Sequence, residues 1–239
     1  SIGIIGAADG PTSIFVANYF KSSLIAPITV AAYSYMSLVP VIQPFAIKLV
    51  TTKKERMIRM PYKAEAISKK TRILFPILVT VIAGLIAPTS VALVGFLMFG
   101  NLIRECGVLD RLSKTAQNEL VNIITLLLGI TIAASMKAEE FVTLRTAVVI
   151  GLGLVAFVFD TIGGVLFAKF LNLFLRKKVN PMIGAAGISA FPMSSRVIQK
   201  MATKEDSQNF ILMHAVGANV AGQVASVIAG GLIMNLIKF

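Results

Sequence analysis

Residues 6 to 15 read Gly-Ala-Ala-Asp-Gly-Pro-Thr-Ser-Ile-Phe, which sets an ionisable Asp9 and a helix-breaking Gly10-Pro11 inside an otherwise apolar stretch. In water this would be an ordinary turn. In hydrocarbon, a carboxylate and unpaired backbone groups are both poorly solvated. The break frees the carbonyls of Gly6, Ala7 and Ala8, Asp9 adds a carboxylate, and Thr12 and Ser13 add hydroxyls. Hard alkali and alkaline-earth cations take such an all-oxygen set. Asp9 also stands where it would cap the second arm, whose positive dipole end favours the ionised form, so a plain helix cap accounts for the same residues.

A second interrupted stretch, residues 180–196, reads Asn-Pro-Met-Ile-Gly-Ala-Ala-Gly-Ile-Ser-Ala-Phe-Pro-Met-Ser-Ser-Arg. Asn180, Ser189, Ser194 and Ser195 offer oxygens, and Gly184 and Gly187 admit close backbone approach. Asn180-Pro181 equally reads as an N-cap followed by a first-turn proline. Arg196 suits an anionic substrate, an intramembrane carboxylate or lipid headgroups. Ile4–Asp9 aligns with Met182–Gly187 at four of six positions, an internal repeat. Paired Gly/Pro-interrupted apolar segments point to a transporter binding site. Of the eleven acidic residues, only Asp9 and Asp160 lie inside apolar runs. Asp160 is read either as a further ion or proton ligand or as the buried partner of a Lys or Arg. Tyr33 and Tyr35, two apart, face different sides of a helix; either supplies a hydroxyl, or sits at the membrane interface.

The elements that must position these groups are transmembrane helices. Of 239 residues, 56% are hydrophobic and 14% charged, with a mean hydropathy of +0.83, whereas soluble domains carry about 25% charged residues. Apolar runs near the ~20 residues that cross a bilayer recur, and the ~10-residue alternation of a β-barrel does not. The net charge of +12 does not mark a nucleic-acid binder, because nine basic and two acidic residues concentrate between Lys48 and Arg72, as a positive-inside loop would. The same cluster suits docking of an acidic partner. One cysteine (Cys106) and one histidine (His214) exclude internal disulfides, Zn–thiolate sites and multi-histidine metal sites. No Walker loop, dinucleotide-binding glycine pattern or Ser-His-Asp set is present.

The reading is a single all-α integral membrane domain over 1–239, a polytopic transmembrane helical bundle with two broken-helix or hairpin elements built from inverted repeats. The first broken element covers 1–20 and the second 180–218, the latter ending in a short arm from Phe210 to Ala218 before a final span from Asn219 to about Ile237. Pro27, Pro40 and Pro44 should bend or break a span from Leu24 to Val50. Pro88 should split the run from Ile73 to Ile103. Further spans run from about Leu120 to Met136 and from about Ala147 to Leu175. Ser1 has no preceding methionine or signal-type n-region, so the chain is expected to be the C-terminal part of something longer.

Four ordered motifs resemble the β subunit of the sodium-ion-translocating biotin-dependent decarboxylases: Gly3 to Phe15, Ala31 to Pro44, Asn180 to Val197 and Met213 to Gly222. The resemblance implies a multi-pass subunit of the cytoplasmic (inner) membrane. It would decarboxylate carboxybiotin, consuming a proton, and couple this to Na+ export. Biotin would be carried by a partner rather than by this chain. The implied partners are a carboxyltransferase α subunit, a biotin carrier protein or domain and a small membrane γ/δ subunit, in a complex holding several copies of this chain. Carried over, Asp9, Asn180, Gly184 and Ser189 match the sodium site, Tyr35 and Arg196 the coupling and catalytic positions, and Thr12, Tyr33 and Asp160 stand behind them. Family members have additional N-terminal helices. The rival reading is a sodium-coupled secondary transporter without catalysis.

The basic loop dominates orientation and is expected in the cytoplasm. A cysteine introduced by Ser68→Cys should resist an impermeant thiol reagent added outside intact cells; labelling from outside would reverse the topology.

Overall fold

The computed structural model describes residues 2–62 and 67–237, so Lys63 and Glu65 of the basic loop lie outside the described residues. In chain order the helices are α1 (Ile2–Gly6), α2 (Gly10–Tyr19), α3 (Ile25–Val50), α4 (Lys53–Arg56), α5 (Lys69–Ile86), α6 (Val91–Cys106), α7 (Asp110–Thr115), α8 (Val121–Ser135), α9 (Ala138–Phe141), α10 (Leu144–Phe174), α11 (Met193–Glu205) and α12 (Leu212–Leu236). Single 3₁₀ segments cover Pro88–Ser90 and Pro181–Gly187, and a π turn at Ala116–Leu120 joins α7 to α8. Among the described residues there is no strand, and five helical segments are long and apolar enough to cross a membrane. The protein is an all-α, multi-pass membrane protein. Outward-facing Leu85, Phe96, Leu126, Phe159, Phe167 and Leu173 give it the apolar exterior that lipid requires.

Three expectations change. Helix α3 runs unbroken through Pro40 and Pro44. The two prolines are four residues apart, so the backbone bonds they remove fall on one face of the helix, and the remaining ladder carries it through. The stretch from Phe210 is not an arm separate from the last span, because α12 is continuous from Leu212 to Leu236. The two copies of the internal repeat also fold differently. Ile4–Asp9 ends an α-helix and enters a break, whereas Met182–Gly187 lies wholly in the 3₁₀ segment.

The helices divide into two compact units, Ser1–Lys63 with Thr143–Ser226, and Ala64–Val142 with Val227–Phe239. In the second unit, α5 and α6 pack as a hairpin around Pro88–Ser90, and Gly107 ends α6 with φ 72°. The Thr89 hydroxyl donates to the Gly231 carbonyl at 2.7 Å.

The first unit carries both interrupted segments. Its centre is α10, whose buried stripe Gly153, Phe157, Thr161, Val165 and Ala168 recurs every three or four residues. Against it pack α1, α3 and the 3₁₀ segment. Lipid tails supply little drive for one apolar helix to bury against another, so close backbone approach supplies the cohesion. A Cβ at Gly6 would strike Ala156 of α10, and one at Gly164 would strike the carbonyl of Gly184. At one end of the unit, polar clasps take over. Arg56 pairs with Glu205 at 2.8 Å and Lys169 with Glu55 at 2.9 Å. Arg59 grips Asp206 through two nitrogens at 2.6 and 3.0 Å, which holds that carboxyl below the usual carboxylate range.

These contacts set two neighbouring glycines of α10 apart. Gly164→Ala should lower the melting temperature of the purified protein, since overpacking against a backbone carbonyl costs on the order of 1–3 kcal/mol. Gly163→Ala, with nothing within 4 Å of its Cβ position, should be neutral or slightly stabilising. Equal effects at the two positions would refute the packing account.

Candidate cation site at the junction of two helix breaks

The first break spans three residues, Ala7 to Asp9. Ala8 takes a left-handed φ of 56°, turning the chain between α1 and α2, and Asp9 then caps α2 by accepting the Thr12 N–H on Oδ1 at 3.0 Å. The Asp9 carbonyl is held by the Ser13 hydroxyl at 2.6 Å. Asp9 is therefore a helix cap, as one sequence reading had it, but the cap uses only one carboxylate oxygen.

The other oxygen faces the second break. Asp9 Oδ2 accepts a hydrogen bond from Ser189 at 3.2 Å and another from Ser226 of α12. Backbone joins the breaks as well, with the Ser189 N–H donating to the Ala7 carbonyl at 2.9 Å. Asp9 is 5% exposed, and none of the described Lys, Arg or His side chains lies within ion-pair distance of it. Among the described residues its charge is met by one N–H, two hydroxyls and the N-terminus of α2. Beside it the buried Thr12 Oγ1 has no hydrogen-bond partner.

Sequence reading identified Asp9, Thr12 and Ser189, and the fold brings them together. It did not single out Ser226 or Asn219. Asn219 donates to the Ile188 carbonyl at 2.6 Å, and between the two residues Gly222 meets the backbone of Gly187. The signal was present, because positions 219, 222 and 226 share one face of a helix. It carried no meaning until α12 was known to be unbroken. Gln43 was missed too. Its amide, wholly buried in α3, donates to the Ala185 carbonyl at 2.8 Å and to Ser194 at 2.6 Å, pinning the second break from the other side.

Other candidates are engaged elsewhere. Asn180 caps the 3₁₀ segment at the Met182 N–H (3.1 Å) and donates to the Arg56 and Ile58 carbonyls at 2.8 and 2.9 Å, so its amide closes the loop end of the unit. Gly184 packs backbone to backbone on Gly164. The Tyr35 hydroxyl donates to the Ile150 carbonyl of α10, and its ring stacks on Phe157. The Tyr33 ring lies over Gly10, beside the Asp9 cap. Arg196 is exposed on the outer face of α11. Asp160, for which a buried ion pair was one expectation, lies instead on the exposed face of α10, because the buried stripe runs through 157 and 161.

Fold and site together define a multi-pass helical membrane protein in which two interrupted segments share one buried, unpaired carboxylate among neutral oxygens. Comparison with known proteins gives the class a name. Residues 1–237 match the family described as the Na+-transporting oxaloacetate decarboxylase beta subunit, and the chain belongs to that family. It is 50% identical over 236 residues to the methylmalonyl-CoA decarboxylase subunit beta of Propionigenium modestum, covering 99% of this chain and 60% of that protein. It is 48% identical to the oxaloacetate decarboxylase beta chain of Klebsiella pneumoniae, over 99% of this chain and 54% of the relative. It is also 48% identical to the glutaconyl-CoA decarboxylase subunit beta of Acidaminococcus fermentans, over 99% and 63%. The chain thus spans somewhat more than half the length of these relatives.

Ser226 tests the junction. Ser226→Ala removes a hydroxyl donated to the carboxylate and leaves helix α12 intact. If the junction holds a cation, losing one ligand oxygen should weaken its binding by about 1.5–3 kcal/mol, roughly ten- to a hundred-fold. Val220→Ala, on the exposed side of α12, should leave it unchanged. An unchanged ion affinity in Ser226→Ala would remove that residue from the site.

Proposed function

We propose that this chain is the membrane subunit of a sodium-pumping decarboxylase, that Na+ is its transported substrate, and that Asp9, Ser189, Ser226 and Thr12 are the side chains that hold the ion. The observation that carries the reading is the buried carboxylate with no cationic neighbour among the described residues, touched by two hydroxyls from two other elements. Isolated charge is costly in a low-dielectric interior, and a small hard cation with oxygen ligands relieves it. A serine hydroxyl has one proton and two lone pairs. It therefore satisfies a bare carboxylate by donating and a cation-bearing one by accepting, so binding and release need only hydroxyl rotation at these atoms. Asn180, Gly184 and Gln43 position the two breaks, the first through its clasp on the loop, the second by backbone packing, the third by pinning Ala185 and Ser194.

On this reading the energy for Na+ export comes from decarboxylating carboxybiotin presented by a biotin carrier. That carrier would be charged by a carboxyltransferase α subunit, and a small membrane subunit would complete the complex in the inner membrane, with several copies of this chain. The four motifs that resemble the family support the assignment, as does one pattern among the relatives. Proteins named for three different acids are 48–50% identical to this chain over nearly its whole length, which suits a subunit that meets the carboxylated biotin rather than the parent acid. Arg196, exposed on α11, is assigned to meet the carboxyl group on this reading. Tyr35, tied to the Ile150 carbonyl, supports the first break through its packing.

The experiment is Asp9→Asn in the assembled complex. Asn and Asp cap helices about equally well, so a capping role would leave function intact. The ion reading expects an assembled complex in which sodium-dependent decarboxylation and Na+ transport disappear together, with sodium affinity down more than ~100-fold, equivalent to about 2.7 kcal/mol. Near-normal sodium dependence would return Asp9 to a structural role, and transport without carboxybiotin would favour a secondary transporter.

A further inference from the structure

Helices α3 and α11 lie side by side, and between them runs an open groove enclosing about 200 Å³, lined by Pro40, Pro44 and Lys48 of α3 and by Val197, Lys200 and Lys204 of α11. Among the described residues none of the three lysines pairs with a carboxylate. The one acid that lines the groove, Glu205, is held by Arg56 at 2.8 Å. The groove therefore combines three ammonium groups free of carboxylates with apolar surface from Pro40, Pro44, Val197 and Met201.

The α11 wall continues the pattern. Arg196, Lys200 and Lys204 are spaced by four, forming one stripe about 12 Å long on the exposed side of the helix. Three charges in a row facing hydrocarbon would be expensive, so this face meets water or a polar guest. The stripe ends at Arg196 in the first turn of α11, seven residues after Ser189, whose hydroxyl donates to Asp9. A path of positive charge thus leads from the loop end of the unit toward the junction of the breaks.

We propose that this groove is the docking track for the carboxylated prosthetic group: Lys48, Lys200 and Lys204 receive its carboxylate, the apolar lining at Pro40, Pro44 and Val197 accepts its ring and tether, and the stripe delivers it to Arg196. The proposal rests on the reading of the chain as a carboxybiotin decarboxylase. Lysine suits the task because a point charge on a flexible stem attracts a moving carboxylate without fixing its geometry, whereas a guanidinium favours a bidentate grip. A concave surface lined by one sign of charge also raises the local concentration of an oppositely charged ligand, an effect that salt weakens.

The test is the triple variant Lys48→Gln/Lys200→Gln/Lys204→Gln in the purified complex, assayed with free carboxybiotin in neutral detergent. The expected result is a KM for carboxybiotin raised at least tenfold, with kcat and the sodium half-saturation within twofold of wild type, a flattened salt dependence of kcat/KM, and rescue by the triple arginine variant. An unchanged KM overturns the proposal. So does a rise in sodium half-saturation that matches the rise in KM, which would mark a general disturbance of the ion site. An activity loss repaired by phosphatidylglycerol vesicles at constant KM also overturns it and assigns the groove to lipid headgroups. If the triple variant fails to assemble, Lys200→Gln alone must raise KM about threefold or the track is refuted. Wild-type complex that does not decarboxylate free carboxybiotin in a sodium-dependent way would instead fail the functional reading itself, and the docking track with it.

Discussion

A carboxylate held at 5% exposure with only neutral donors around it imposes the arrangement of everything near it. Asp9 must have hydrogen bonds on both oxygens, and an intact helix cannot supply them, because its N–H groups are already committed. The break at Ala7-Ala8-Asp9 provides one donor at the start of α2, and the second oxygen reaches outside its own segment to Ser189 and Ser226. The two interruptions are thus mutually dependent. Each exposes backbone that the other helps satisfy, as the bond from the Ser189 N–H to the Ala7 carbonyl shows.

That junction exists only because two long helices frame it. Helix α10 accepts the first break at Gly6 against Ala156 and the second at Gly184 against Gly164. Helix α3 lays Tyr33 over Gly10, stacks Tyr35 on Phe157 and sends Gln43 into the second break. Val39 packs with Ala8, Phe157, Ile188 and Ala190 in one cluster between the breaks. Asn180 and Gly184, which read as candidate ligands in isolation, also make the hydrogen bonds and backbone packing that hold the second break in place. Asn180 is the clearest case. It shares the Arg56 and Ile58 carbonyls with Asn209 and so fastens the loop after α3 to both ends of the second element.

The amphipathic α11 differs from every other long helix of the first unit, since one side joins a core of Ile198, Met201 and Ala202 while the other carries only basic groups. Helices α3, α10 and α12 present apolar side chains outward, among them Phe45, Phe159 and Val220. A polar outer face beside apolar neighbours is costly against hydrocarbon, so this side of the unit differs from the lipid-compatible faces of α3, α10 and α12.

Composition determined that the chain is a membrane protein, because a 14% charged chain lacks the polar surface to dissolve, and apolar runs near ~20 residues made its spans helical. Local spacing located both interruptions, since Gly10-Pro11 after Asp9 and the Gly- and Pro-containing run from Asn180 to Pro192 disfavour a continuous helix. It also found Asp9 and Ser189, as oxygen-bearing residues at those interruptions. Spacing failed where the outcome depended on distant partners. It also misjudged α3, which Pro40 and Pro44 did not break, because the bonds they remove lie on one face and the remaining ladder carries the helix through. Asp160 proved exposed, because burial on α10 follows the stripe through Phe157 and Thr161 rather than the hydropathy of the run. Ser226, 217 residues from Asp9 in sequence, could be joined to it only by the fold. A carboxylate's type and its break are local properties that a sequence states directly. Which hydroxyl completes its shell is decided by how separate helices pack, and no local pattern encodes that contact.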